Sequence, residues 1–250
     1  MSGLEHKIVL VTGGAHGLGR AIAQAFHQQG ARVLIADRDE NAARKVAAGL
    51  DGLPVAMDVA DDASVEAGFA LAEREWGTPT IVINNAGILS EKKPLHEISA
   101  ENWRRVTEVN QNGPFYVMKA ALPRMMAAGG GVIINMASTA AIAGVMNNGP
   151  YSAAKAALVR MTREAAVAYG PHNIRVNALA PGAVLTEAME ARIADAPDPV
   201  AYRESLNHLN PLPGMPDAAD VAAAAVFLAS DQARFISGAV LPVDGGYACR

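Results

Sequence analysis

The chain has 250 residues, 51% of them hydrophobic and 18% charged, with a formal net charge of -4. That is enough chain to bury a sizeable core, and the mild acidity argues against nucleic acid as the main partner, which would favour a concentrated basic patch. Cys249 is the single cysteine, so an intrachain disulfide and a cysteine-based zinc cluster are excluded, and the six histidines show no metal-ligand spacing. Met1 to Lys7 lacks the apolar run of a signal peptide, and no stretch nears the roughly 20 apolar residues that span a bilayer. A soluble, cytoplasmic protein with no metal and no membrane contact is expected.

Strand and helix signals alternate along the chain. Lys7 to Thr12 is a β-rich run ending in glycines, followed by helical spacing of Leu18, Ile22, Ala25 and Phe26 over Gly17 to Gln29. Arg32 to Asp37 predicts a second strand, Glu40 to Leu50 a helix, and Leu53 to Met57 a third strand. Asp61 or Asp62 can cap a helix running to Trp76. Thr80 to Asn84 is the fourth strand and Ala100 to Met126 one long helical region. Gly131 to Met136, Ile174 to Ala180 and Ala239 to Val243 complete the strands, with helices over Tyr151 to Tyr169 and Asp217 to Ser230 between them. Such alternation predicts βαβ units: an α/β, Rossmann-type, doubly wound seven-stranded parallel sheet in three layers, spanning 1–250 as one domain. The Pro- and Asp-rich excursion at about 183–216, with short helical patches at Glu187 to Ala194 and Val200 to Asn207, is placed where a substrate lid would sit.

Thr12-Gly13-Gly14-Ala15-His16-Gly17-Leu18-Gly19 lies between the first strand and the first helix. Glycines there let the backbone approach a pyrophosphate, and the helix N-terminus offers free N–H donors. The spacing of Gly13, Gly17 and Gly19 is G-x3-G-x-G, not the commoner GxGxxG. Asp37 ends the second strand, where a carboxylate can accept hydrogen bonds from a ribose diol and would repel a 2′-phosphate. NAD is therefore the expected cofactor, although Arg38 and His16 could each greet a phosphate.

Tyr151 and Lys155 are four residues apart, hence about 40° apart around one helix. A phenol with a pKa of about 10 is a poor base near neutrality, and a nearby positive charge favours phenolate. Ser138 stands thirteen residues upstream at the end of the fifth strand, where it can hold a substrate oxygen while Tyr151 exchanges the proton.

Together with the glycine turn, these residues resemble the short-chain dehydrogenase/reductase family. The resemblance runs over the whole chain and includes Asp58-Val59, Asn84-Asn85-Ala86-Gly87, Val109-Asn110, Pro181-Gly182 and Asp244-Gly245-Gly246. It implies that Asp58 and Val59 flank the adenine and that Asn85, Ala86 and Gly87 line the cofactor cleft. It implies further that Ser138 orients substrate and Tyr151 is the acid/base. Lys155 would lower the tyrosine pKa and bind ribose hydroxyls, while Asn110 would hold a water linking Lys155 to solvent. Val184 and Thr186 would hold the carboxamide of the nicotinamide. Leu212-Pro213-Gly214-Met215 lacks the arginine that many relatives carry there. A homotetramer is also implied, through helices at about 100–126 and 151–169 and the last strand.

The expected substrate walls, 140–151, 89–95 and 184–215, bring Met146, Asn147, Asn148, Met189, Leu206, His208 and Leu209. This mostly apolar set suits a medium-sized secondary alcohol or ketone, cyclic ones included. Two other readings stand beside it: an NADP-dependent 3-oxoacyl-carrier-protein reductase, against which Asp37 weighs, and a non-catalytic nucleotide sensor, which would not need Asn110, Ser138, Tyr151 and Lys155 together.

Overall fold

A computed structural model describes residues 3–249 of the protein; Met1, Ser2 and Arg250, part of the expected 1–250 unit, lie outside the described residues. Seven strands form one parallel sheet: β1 (Ile8–Thr12), β2 (Arg32–Asp37), β3 (Leu53–Ala56), β4 (Ile81–Asn84), β5 (Gly131–Met136), β6 (Ile174–Pro181) and β7 (Val240–Val243). Their order is β3-β2-β1-β4-β5-β6-β7, every pair parallel. The helices between them are α1 (Gly17–Gln28), α2 (Glu40–Ala48), α3 (Asp62–Glu75), α4 (Ala100–Thr107), α5 (Gly113–Ala127), α6 (Gly149–Tyr169), α7 (Glu187–Ala194), α8 (Pro199–Asn207) and α9 (Ala218–Ala229).

A sheet covered on both faces needs strands that are apolar at every position, and β1 shows how the two layers share them. Val9 and Val11 pack with Ile22 and Phe26 of α1 and with Val221 and Leu228 of α9. Leu10 points the other way, into Val65 and Phe69 of α3 and Val117 and Met125 of α5. The period of two along each strand thus sorts one apolar run into two cores. The order in which strands are added reverses at the β1–β4 pair, since β2 and β3 extend one side and β5 to β7 the other. That reversal opens a crevice at the carboxyl ends of the strands, the usual ligand position in such sheets.

Two departures from the expected elements affect the crevice. The 100–126 stretch is not one α-helix: residues Glu108–Asn112 form a π-helical turn between α4 and α5. α6 starts at Gly149, two residues before Tyr151, with Pro150 in its first turn, so Tyr151 lies inside the helix start. The lid excursion is pinned at its base, where the Leu185 N–H donates to the Pro216 carbonyl at 2.9 Å. Among the described residues no helix is long and apolar enough to cross a membrane. No group of three or more His, Cys, Asp or Glu side chains there could hold a metal ion.

Candidate active site

The glycine turn is shaped by sterics that a side chain would break. Gly13 and Gly17 have φ of +61° and +47°, in the left-handed region that favours glycine. A Cβ on Gly19 would lie 2.1 Å from the Gly13 carbonyl oxygen, a backbone atom that cannot swing away. Thr12 locks this turn to the end of β4: its hydroxyl donates to the Ile83 carbonyl and accepts from the N–H groups of Asn85 and Ala86 at 3.0 and 3.1 Å. Asn85 returns the tie through its amide, which donates to the Thr12 and Gly13 carbonyls.

Most helices that start at a loop here carry a side-chain cap: Asp39, Asp61, Ser99, Thr186, Asp198 and Asp217 serve α2, α3, α4, α7, α8 and α9. α1 starts without one; His16 makes no capping bond, and no acid stands in the first turn. Its N-terminal N–H groups and dipole are left for an anion. The residues fit a dinucleotide: an uncapped helix end, a turn without side chains and a carboxylate at the tip of β2. Asp37 Oδ2 accepts from the Ala15 N–H at 3.2 Å and Oδ1 from the Asp39 N–H at 3.1 Å, so the carboxylate also braces the turn.

The wider cleft, of about 810 Å³, is lined by Gly13, His16, Gly17, Leu18, Gly19, Asp37, Asp58, Val59, Asn85, Ala86, Gly87, Tyr151, Val184 and Thr186. A smaller pocket of about 200 Å³ adjoins it, sharing Leu18, Asn85, Gly87, Tyr151 and Val184, and adds Asn110, Ser138, Lys155, Pro181 and Gly182. Every site residue expected from sequence therefore lines one continuous crevice. Sequence reading missed Met57, Ile88, Met136 and Ala137, which line it too, while Leu89, Glu187 and Ala188 fall within the expected walls. It missed Thr12 as well, and the buried relay beneath the floor: the Asn84 amide donates to Asn135, which donates to Thr162. Those residues lack a motif of their own, and their partners are distant in sequence. None of the seven expected wall residues Met146, Asn147, Asn148, Met189, Leu206, His208 and Leu209 lines either pocket. Leu206 is buried within the lid, and Asn148, 5% exposed, spends its oxygen on Ser90 and Lys92.

Around the reacting position burial dominates the electrostatics. Lys155 is 3% exposed, and its Nζ donates to the Met136 carbonyl at 2.7 Å. Burial holds its pKa down, to about 8 from 10.5. Burial pushes the Tyr151 phenol above its ordinary value, and a hydrogen bond from Ser138 opposes this. Lys155, expected to lower the Tyr151 pKa, lies beside the phenol ring. Its Nζ sits 5.6 Å from the centre of the tyrosine ring and is directed to β5. Ser138 also accepts from the Ala140 N–H at 3.2 Å, which fixes its side chain at the strand end.

Asn110 sits in the π turn, fully buried. Its amide nitrogen donates to the Ile88 and Val106 carbonyls at 2.9 and 3.0 Å, and its Oδ1 accepts from the Ile88 N–H at 3.2 Å. The side chain thus clamps the loop after β4 with one N–H donor and spends the other on Val106 of α4. A Cβ on Gly87 would lie 2.7 Å from Asn110 Oδ1 and 3.5 Å from Lys155 Nζ, so these groups crowd one point behind the cleft wall.

A family model described as enoyl-(acyl carrier protein) reductase matches residues 13–248. The chain is 42% identical over 245 residues to a cis-4-hydroxycyclohexanecarboxylate dehydrogenase of Sinomonas cyclohexanicum, covering 96% of each protein. It is 38% identical over 252 residues to a D-threitol dehydrogenase of Mycolicibacterium smegmatis, covering 99% of this chain and 95% of that one. The crystal structure of levodione reductase superposes with a TM-score of 0.93 at 34% identity over 98% of both chains. With the sheet order, the uncapped glycine turn and the Ser138, Tyr151 and Lys155 pocket, these matches establish that the chain belongs to the short-chain dehydrogenase/reductase family.

Proposed function

We propose that the protein is an NAD-dependent oxidoreductase that interconverts a medium-sized, partly apolar secondary alcohol and its ketone, with Tyr151 as the acid/base. The observation that carries this reading is the small pocket in which Ser138, Tyr151 and Lys155 meet at the end of the dinucleotide-shaped cleft. A ring in the substrate is supported by the name of the 42% identical relative and by apolar lining from Leu89, Met136, Ala137 and Val184.

Family membership implies a nicotinamide dinucleotide, which supplies the hydride acceptor or donor when bound. Gly13, His16, Gly17, Leu18 and Gly19 would hold its pyrophosphate at the open start of α1, Asp37 its adenosine ribose, and Asp58 and Val59 its adenine. Asn85, Ala86, Gly87, Pro181, Gly182, Val184 and Thr186 would line its nicotinamide half. The Lys155 ammonium keeps donors beyond the one given to Met136, available to ribose hydroxyls.

For ketone reduction, Tyr151 already has the required form: a phenol kept neutral by burial, able to give its proton to the developing alkoxide. Ser138 donates to the same oxygen and fixes its position. In the oxidation direction Tyr151 takes the hydroxyl proton, and positive charge nearby stabilises the phenolate. The 183–216 excursion serves as the lid; Arg20 of α1 reaches Glu187 of α7 at 2.6 Å and ties the lid across the cleft.

Assembly as a homotetramer through α4, α5 and α6 is part of the reading. Trp103, Phe115 and Val167 on those helices are 40%, 48% and 81% exposed, an apolar face suited to a second copy. Light scattering checks this, and a monomer mass refutes it.

The deciding test follows absorbance at the nicotinamide band with NAD and NADP over ring and open-chain alcohols, D-threitol and acetoacetyl thioesters. Turnover of ring alcohols with NAD supports the reading. Faster turnover of thioesters with NADPH replaces it with the carrier-protein reductase, and no turnover of any compound leaves the nucleotide sensor.

A further inference from the structure

Beside the outer end of the crevice stand two cations, Lys92 on the loop after β4 and Arg192 on α7. Leu89 and Ala188 both line the wider cleft, on the loop after β4 and on α7 respectively. Lys92 lies three residues beyond the first and Arg192 one helical turn beyond the second. Lys92 Nζ donates to Asn148 Oδ1 at 2.9 Å, and the buried Ser90 hydroxyl donates to that oxygen at 3.0 Å. Asn148 directly precedes α6, three residues from Tyr151. The ammonium is therefore anchored to the segment that carries the phenol, by a neutral acceptor that leaves its charge uncompensated.

Among the described residues neither cation has an acidic partner within ion-pair distance. Lys93 pairs with Glu91, and Glu187, the acid at the start of α7, is taken by Arg20. Asp195 and Asp198 line the same outer groove as Arg192 without an ion pair to it, and Asp198 caps α8. The Arg192 guanidinium rests 5.7 Å from the centre of the Tyr202 ring, which holds it in place. Partial burial pulls the Lys92 pKa below its ordinary value, and the nearby Arg192 cation adds to this. Like charges brought together at a cleft mouth are unfavourable until an anion comes between them.

We propose that the substrate carries a carboxylate remote from its carbinol carbon, and that Lys92 and Arg192 bind it. This rests on the function proposed above and names a substrate class within it. A carboxylate between the two would accept from the free Lys92 N–H bonds and from the planar guanidinium together. It would also bridge α7 to the loop after β4, closing the lid on the correct substrate.

The test uses cyclohexanecarboxylate, which has no hydroxyl to oxidise, and its uncharged match cyclohexanecarboxamide. Calorimetric titration of each is run against the protein alone and with NADH. The acid is expected to bind about tenfold or more tightly than the amide, and added salt to narrow the gap. The Lys92→Gln/Arg192→Gln double variant should bring the acid-to-amide ratio close to one, and Lys92→Arg should retain it. The proposal is overturned if the wild-type protein binds the acid no better than the amide, neither binding measurably included. It is equally overturned if the double variant, folded by its thermal melt, keeps the preference. No charge preference in the wild-type protein, alongside its turnover of neutral ring alcohols, would sink this inference alone, whereas absence of all turnover would sink the proposed function and leave the binding result standing.

Discussion

The Lys155 ammonium donates a 2.7 Å hydrogen bond to the Met136 carbonyl, and so ties a buried charge on α6 to the last residue of β5. One neutral acceptor does not replace the water that burial removes, which is why the lysine pKa falls to about 8. The unfolded chain keeps the ordinary value of 10.5. Below about 8 both states hold the proton and the buried charge costs stability in full. Between 8 and 10.5 only the unfolded chain holds it, so the cost fades as pH rises.

Lys155→Met should therefore stabilise the cofactor-free protein near neutral pH. The gap in pKa corresponds to about 3 kcal/mol, reduced by about 1 kcal/mol for the Met136 carbonyl left without its donor. Thermal midpoints of both proteins at about pH 7 and about pH 10 check the sign: the advantage of the variant should shrink at the higher pH. A variant less stable at neutral pH, or an advantage that grows with pH, contradicts it.

Tyr151→Phe removes the proton-exchanging oxygen and little else, since the ring keeps its place at the start of α6. The expected loss in kcat is about 10²- to 10⁴-fold, while NADH still binds, as followed by its fluorescence. Near-normal turnover would remove Tyr151 from the chemistry.

Gly19→Ala tests the turn rather than the reaction. The added carbon would meet the Gly13 carbonyl at 2.1 Å, and neither backbone can yield without opening the start of α1. NADH affinity should fall below detection and the melting temperature should drop. Binding of NADH at wild-type affinity would mean that the pyrophosphate lies elsewhere.

Asp37 has two duties that a single substitution can separate. Asp37→Asn keeps an oxygen for the Ala15 N–H and removes the charge that a 2′-phosphate would meet. The preference for NAD over NADP, measured as the ratio of kcat/KM values, should fall about tenfold or more. An unchanged ratio would show that some other group sets cofactor choice.

The sheet was legible because its strands are buried on both faces and bounded by glycines: Arg32–Asp37 and Gly131–Met136 fall where the sequence places them. Residues of the crevice carried by motifs, such as Gly19, Asn85 and Tyr151, were legible too. Thr12 was not, because its hydroxyl matters only through partners on β4 more than seventy residues away. The burial of Lys155 was not legible for a related reason: spacing places it on the same side of the helix as Tyr151, but only the packed structure shows one of its N–H bonds given to Met136. The π turn at Glu108–Asn112 was hidden as well, since Glu-Val-Asn-Gln-Asn has no helix breaker and its geometry depends on Ile88 across the cleft.

That turn also limits how this stretch of chain can change in length. A π turn holds more residues than the α-helical turn it replaces. Deleting one residue within Glu108–Asn112 would let the segment rewind as a regular α-helix and leave α5 in phase with the sheet, because the residue removed is the extra one. Val117, Ala121 and Met125 would keep their places, while Asn110 would lose its hold on Ile88. A deletion within Gly113–Ala127 that left the π turn intact would instead turn all that follows by about 100° and swing that apolar face off the sheet. Deletions tolerated in the helical stretch should therefore fall at the π turn, and disturb the loop after β4 rather than the fold.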